Sequence, residues 1–180
     1  TITGVIEIHT QMGRQDDHGK KEPGRCSILA HNQDGAFSPS YASGAYYPNV
    51  RPRRHVRVQM DWNGDTYGLF YGLVENWHPF VAGDQHYVEI TAIDLSYQLV
   101  RTRPDVAFSS QALGARIGSV LDEAIWIGIP STTPFYWPST LRDLDTGVLT
   151  VAAATLSDTS LQSHIDDLMD VEDGRFWIDG

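Results

Sequence analysis

Residues 46–78 read YYPNVRPRRHVRVQMDWNGDTYGLFYGLVENWH, and this stretch decides the fold. Val56, Val58, Met60 and Trp62 alternate with Arg57, Gln59 and Asp61. Successive residues of a strand point to opposite faces, so the alternation predicts a strand with one apolar side. Asn63-Gly64 follows, a dipeptide that readily adopts the two positive φ angles of a two-residue hairpin turn. Beyond it, Tyr67, Leu69, Tyr71 and Leu73 alternate on toward Trp77 and predict the return strand. Pro48 and Pro52 bracket the approach as a loop. The polar face of this hairpin carries no catalytic pattern, which directs the reading toward a scaffold or assembly protein.

Working outward, the same logic predicts a strand over Thr1–Thr10, with Ile6 and Ile8 opposed by Glu7 and His9. Residues 13–24 are polar and rich in breakers, a loop. Arg25–His31 is a strand with Cys26, Ile28 and Ala30 on one face, and Asn32-Gln33-Asp34-Gly35 turns the chain by Asx chemistry. Residues 36–53 form a loop long enough to be functional or to cover something. Gln85–Asp94 is a further strand, with Val88, Ile90 and Ala92 against Glu89, Thr91 and Ile93. Five strands by residue 94 describe a β-barrel or sandwich.

The period then changes. From a cap at Ser110, Leu113, Ile117, Val120, Leu121, Ala124 and Ile125 fall on one helical stripe. Gly114 and Gly118 within it predict close packing on a neighbour. Residues 128–145, with Pro130, Pro134 and Pro138, read as an ordered linker, and Thr146–Val151 as a short strand. Thr159 and Gln162 form a capping box for a helix with the stripe Leu161, Ile165, Leu168 and Met169. Asp166, Asp167 and Asp170 lie on its other face, and Arg175–Ile178 begins a strand. The expected architecture is therefore mainly β with flanking helices (α+β). Residues 1–127 form a barrel with a docked helix, 128–145 a linker, and 146–180 the start of a further unit. The start at Thr1 and the strand just begun at residue 175 carry the expectation that the chain is a fragment of a longer protein.

Net charge is −10, unevenly spread: residues 1–60 hold eight Lys/Arg against five Asp/Glu, and residues 61–180 hold five against eighteen. Affinity for a nucleic-acid backbone comes from phosphate neutralisation, so this balance argues against tight binding to it. The single cysteine, Cys26, excludes an intrachain disulfide and a multi-cysteine zinc site, and reads as a small buried hydrophobe. His9, His18, His31, His55, His78, His86 and His164 show no paired ligand spacing, so no metal is expected. Asp34-Gly35 and Asn63-Gly64-Asp65 lack the remaining oxygen ligands of a calcium loop and read as turns. Carboxylate pairs such as Asp122/Glu123 and Asp166/Asp167 have simpler explanations as helix surface than as a glycosidase pair. No cofactor fingerprint appears. The aromatics Tyr41, Tyr46, Tyr47, Trp62, Tyr67, Tyr71 and Trp77 suit either a sugar-stacking platform or core and interface packing.

Several segments together resemble the baseplate-hub or tail-tip proteins of long-tailed phages that infect actinobacteria. They are Gly13-Arg14-Gln15, the spaced set Leu29, Asn32, Asp34, Gly35, Phe37 and Pro39, and Tyr47-Pro48-Asn49-Val50-Arg51-Pro52. Further along they are Trp62-Asn63-Gly64 with Leu69-Phe70-Tyr71-Gly72, then Gly114-Ala115-Arg116-Ile117-Gly118 with Leu121-Asp122. The last is Glu172-Asp173-Gly174-Arg175-Phe176-Trp177-Ile178-Asp179. The resemblance implies a barrel related to the tail-tube fold with a flanking helix, in a non-enzymatic hub subunit at the distal end of the virion tail. It implies a homotrimer whose two such domains per subunit make a pseudo-six-fold ring. The partners implied are tail-tube proteins on one side and tip or fibre proteins on the other, with the genome DNA passing an acidic lumen unbound.

Three functions are weighed: a structural hub, a carbohydrate-binding host-recognition module and a cell-wall hydrolase. An acidic surface poor in catalytic motifs, with long non-repeating loops, favours the hub. The basic cluster Arg51, Arg53, Arg54 and Arg57, with Tyr46 and Tyr47 on the loop before it, is the expected subunit contact, docking on acidic surface of a neighbour.

Overall fold

A computed structural model of the chain describes residues 1–11, 22–124, 142–172 and 174–176. The chain divides into two compact units, Thr1–Leu95 and Ser96–Trp177. The first is one antiparallel sheet of five strands: β1 (Val5–Gln11), β2 (Arg25–His31), β3 (His55–Trp62), β4 (Asp65–Ala82) and β5 (Gln85–Asp94). Their order across the sheet is β1-β2-β5-β4-β3, which leaves β1 and β3 as edges. The sheet is a curled half-barrel, as the mainly β reading anticipates.

Register places one set of side chains inside. Cys26, Ile28 and Ala30 of β2 stand opposite Ala92, Ile90 and Val88 of β5, all at most 3% exposed. Val56 and Val58 of β3 join them with Phe70 and Val74 of β4. Here the expected β4 stripe shifts. Between the pairs Val58–Phe70 and Gln59–Gly68 the ladder slips by one residue, and Leu69 is the extra one. A bulge of this kind moves the following residues to the opposite face. Phe70 and Val74 therefore take the core in place of Tyr71 and Leu69. A second slip at Glu75 restores the inward phase, so that Trp77 faces Ile90. Gly72 lets β4 and β5 approach closely, because a Cβ there would clash with the Ile93 carbonyl oxygen.

The inner face is closed by the long loop before β3. Its backbone is a chain of consecutive turns: the amides of Gly35, Ser38, Tyr41, Gly44 and Tyr47 each donate to the carbonyl three residues earlier. Asn32 is buried, and its Oδ1 accepts from the Phe37 amide at 2.9 Å. Phe37 is thereby delivered into the core, where it stacks between Tyr46 (4.6 Å) and Trp77 (5.9 Å).

The second unit holds α1 (Ser96–Arg101), β6 (Val106–Phe108), β7 (Gln111–Ala112), α2 (Leu113–Glu123), β8 (Thr150–Val151), β9 (Ala154–Leu156) and α3 (Leu161–Glu172). β6 pairs with β9 and β7 with β8. The expected stripes are buried: Leu113, Ile117, Val120 and Leu121 on α2, and Leu161, Ile165 and Leu168 on α3. α2 falls within this second unit. Gly114 packs as expected, its space taken by the Asp145 carbonyl, and its amide donates to Thr146 at 3.0 Å. Ser110 does not cap α2; its hydroxyl donates to the Val151 carbonyl. Ser160, not Thr159, caps α3, its Oγ accepting from the Ser163 amide, while Gln162 Nε2 donates to Asp166. Ile125, most of the 128–145 linker and of the 13–24 loop, and the last residues of the expected strand at 175–178 lie outside the described residues.

Replacing Phe37 with Ala removes the centre of the ring stack and is expected to cost about 3–5 kcal/mol. Tyr41→Ala, on the exposed part of the same loop, is expected to stay within about 0.5 kcal/mol. Denaturant unfolding followed by tryptophan fluorescence measures both, and equal effects would refute the closing role of Phe37.

Candidate functional site

The expected contact residues sit where the closing loop enters β3. Arg53 has φ 64°, in the left-handed region that ordinary residues enter at a cost of about 1–2 kcal/mol. Two hydrogen bonds hold it there: the Arg53 amide donates to Val74 at 2.7 Å, and the Val74 amide donates to Arg54 at 2.8 Å. The arginine segment is thus clipped to a central strand. Arg51, Arg53 and Arg57 are exposed and Arg54 is half-buried. The four enter none of the ion pairs found among the described residues, which join His9 to Glu7, Arg25 to Glu75, Arg103 to Asp158 and Arg142 to Asp122. Arg57 stands opposite Tyr71, whose ring stacks on His55 at 5.5 Å. Burial raises the Tyr71 hydroxyl pKa while the Arg57 charge opposes that, and burial lowers the pKa of His55.

The two loop tyrosines part company. Tyr47 is 49% exposed. Tyr46 turns inward onto Phe37, and its hydroxyl accepts from the Thr3 amide at 3.0 Å. The wider aromatic set is scattered as well. Trp77 is in the core, Tyr71 is on the outer face, and Trp62 and Tyr67 project at the hairpin tip. A groove of about 470 Å³ opens beside Gln33, Asp34, Tyr41, Phe80 and His86. Its polar atoms already serve the backbone: Gln33 Oε1 accepts from the His86 amide and Asp34 Oδ1 from the Ala36 amide. Among the described residues no three His, Cys, Asp or Glu side chains converge as metal ligands. Burial pushes the Cys26 thiol up to about 11, so it is not a nucleophile at neutral pH.

One cluster escaped the sequence reading. Arg116 of α2 is fully buried. Its Nη2 donates to the carbonyls of Ser109 (2.8 Å) and Ala152 (2.9 Å), and its guanidinium lies 5.1 Å over the Phe108 ring. His164 of α3 stacks on Phe108 and brings Nε2 to 3.5 Å from Arg116 Nη1. Burial, and then the Arg116 charge, lower the His164 pKa, with Asp167 opposing. The signal was present in spacing, since Arg116 falls three residues after Leu113 and four before Val120, on the apolar stripe.

Comparison with known proteins follows the fold alone. No family model matches the chain, and no curated protein matches it. Among solved structures it is similar to the c3393 protein of E. coli, with a TM-score of 0.52 and 11% identity over 92% of this chain and 39% of that one. That protein is a component of the type VI secretion system with structural similarity to the T4 bacteriophage tail proteins gp27 and gp5. The chain is also similar to the 43 kDa tail protein of prophage MuSo2 from Shewanella oneidensis, with a TM-score of 0.49 and 12% identity over 92% of this chain and 44% of that one. The chain spans less than half the length of either neighbour.

The lowered His164 pKa fixes a direction for pH dependence. Unfolded histidine titrates near 6.5, and the folded value lies below it. The unfolded state therefore binds the extra proton first, so this contribution is complete above about pH 6.5 and is lost as pH falls through the folded value. His55 acts in the same sense in the first unit. His164→Gln, which keeps an acceptor for Arg116, is expected to flatten the acid loss of stability of the second unit. Unfolding curves between about pH 7 and 5 check this, and an unchanged slope would refute it.

Proposed function

We propose that this chain is a structural subunit of a phage tail, at its distal hub or tip, and that copies of it form a ring continuing the tail tube. The observation that carries this reading is an inner sheet face left unfinished at both edges. Val5 and Ile8 of β1 stand opposite Ala30 and Ile28, so they face inward, yet they are 39% and 41% exposed. At the other edge Met60 and Trp62 continue the Val56–Val58 stripe and are 44% and 69% exposed, with Tyr67 beside Met60 at 47%. Unpaired apolar edges are an aggregation hazard that folded proteins normally blunt. A head-to-tail contact, β1 side to β3 side, would cover both at once, and such heterologous contacts make a ring where the rotation closes. The likeness of fold to a secretion-system component related to phage tail proteins supports the same reading.

Under it, the ring is a trimer of pseudo-six-fold symmetry, and its neighbours are tube proteins on one side and tip or fibre proteins on the other. DNA passes through without specific binding, consistent with a net charge of −10. The subunit acts by assembly, not by catalysis.

The full chain is expected to associate into a defined closed oligomer, visible by light scattering and in micrographs. Met60→Asp with Trp62→Asp is expected to weaken association by about tenfold or more while leaving the subunit folded. A parent chain that stays monomeric at every concentration would defeat the proposal.

A further inference from the structure

Four arginines within seven positions repel one another, and none of them enters an ion pair found among the described residues of a chain of net charge −10. Their backbone is clipped to Val74, so the cluster is presented and not loosely tethered. The second unit shows the opposite condition. Residues 96–177 hold eleven Asp/Glu against five Lys/Arg. Of those five, Arg116 is buried, Arg103 is held by Asp158, and Arg142 is held by Asp122 at 2.7 Å. The carboxylates of Asp167 and Asp170 on α3 are exposed and enter none of the ion pairs found among the described residues.

We infer that the arginine cluster Arg51, Arg53, Arg54 and Arg57 is the docking surface for the acidic second unit of a second copy, with the Asp167–Asp170 face of α3 as its counterpart. This rests on the ring reading above and names the surface through which its copies recognise one another. Complementary potentials of this kind set register and speed encounter, while like-charged alignments are rejected. A basic patch and an acidic patch carried by every copy can pair between copies, and a ring uses each of them once per contact. The competing explanation is that the arginines only protect the β3 edge from pairing, a common use of edge cations.

The test uses the full chain and its oligomeric state by light scattering. Arg51→Glu, Arg53→Glu, Arg54→Glu and Arg57→Glu together are expected to weaken association at least about tenfold, and Asp167→Arg with Asp170→Arg to do the same. Both sets combined in one chain are expected to restore it. Raising salt from about 0.1 M to 1 M, which shortens the screening length from about 10 Å to 3 Å, is expected to weaken the parent and the combined variant alike. Circular dichroism checks that each variant is folded, and neutral Arg→Gln replacements serve if the reversed set is not. If the parent assembles and reversal of the cluster leaves assembly unchanged, this inference fails and the ring reading stands. Edge protection is then the role of the arginines. A combined variant no better than the single sets also overturns it, as does retention of duplex DNA by the cluster at physiological salt. A parent that never assembles overturns both.

Discussion

The first unit depends on one buried hydrogen bond, from the Phe37 amide to the side chain of Asn32. A single sheet can bury one face only if something covers it. Here the cover is a loop with no regular element of its own. What makes it an adequate lid is that its backbone groups satisfy each other in successive turns. Asn32 then ties the first of those turns to the end of β2, while the Arg53–Val74 pair ties the last to β4. Between these anchors, Phe37 and Tyr46 join the cluster of Ile28, Ile90 and Trp77. Loss of the Asn32 anchor would leave a buried amide unpaired as well as a displaced ring, and the first of these is the larger obstacle to refilling the core.

Much of this was legible from sequence, and for physical reasons. β2, β5 and the β3 strand of the hairpin carry strict alternation, and Asn63-Gly64 supplies the turn at φ 53° and 92°. Buried stripes on α2 and α3 were legible because side-chain spacing on a helix is fixed by geometry. What failed was phase and local capping. Leu69 and Glu75 are extra residues in a ladder, and no residue type marks a bulge when both phases are apolar. Tyr67 to Leu73 reads equally well in either phase. Ser110 and Thr159 have capping chemistry, but the hydroxyl with the right geometry was Ser160, one position on. α1 has only six residues, too few to show a period. Of the expected contact residues, Arg51, Arg53, Arg57 and Tyr47 are exposed, whereas Tyr46 packs on Phe37. An aromatic on a loop is ambiguous until it is known what the loop covers.

An unfinished inner face is a different matter from a scattered apolar surface. Exposed Leu or Val side chains on monomers are ordinary. Val5, Ile8, Met60 and Trp62 are set apart by register, since each continues a stripe whose other members are buried. The loop covers the middle of the sheet and leaves these four edge residues exposed. Lengthening the lid would complete the core within one chain. Under the proposed ring, the open edges couple folding energy to assembly.

The buried Arg116 shows a second use of the same economy of contacts. A Met of similar length would pack without a desolvation penalty, and replacing buried charge by apolar groups is often neutral or stabilising. Among the described residues no carboxylate pairs with Arg116. Its two carbonyl partners belong to residues 109 and 152, and its ring neighbours, Phe108 and His164, belong to β6 and α3. Five N–H donors in a fixed fork can meet such partners in only one relative placement of the segments. The short strands β6 to β9, two or three residues each, cannot specify that placement by ladder bonds alone. The guanidinium therefore ties α2, α3 and the small sheets together at one point.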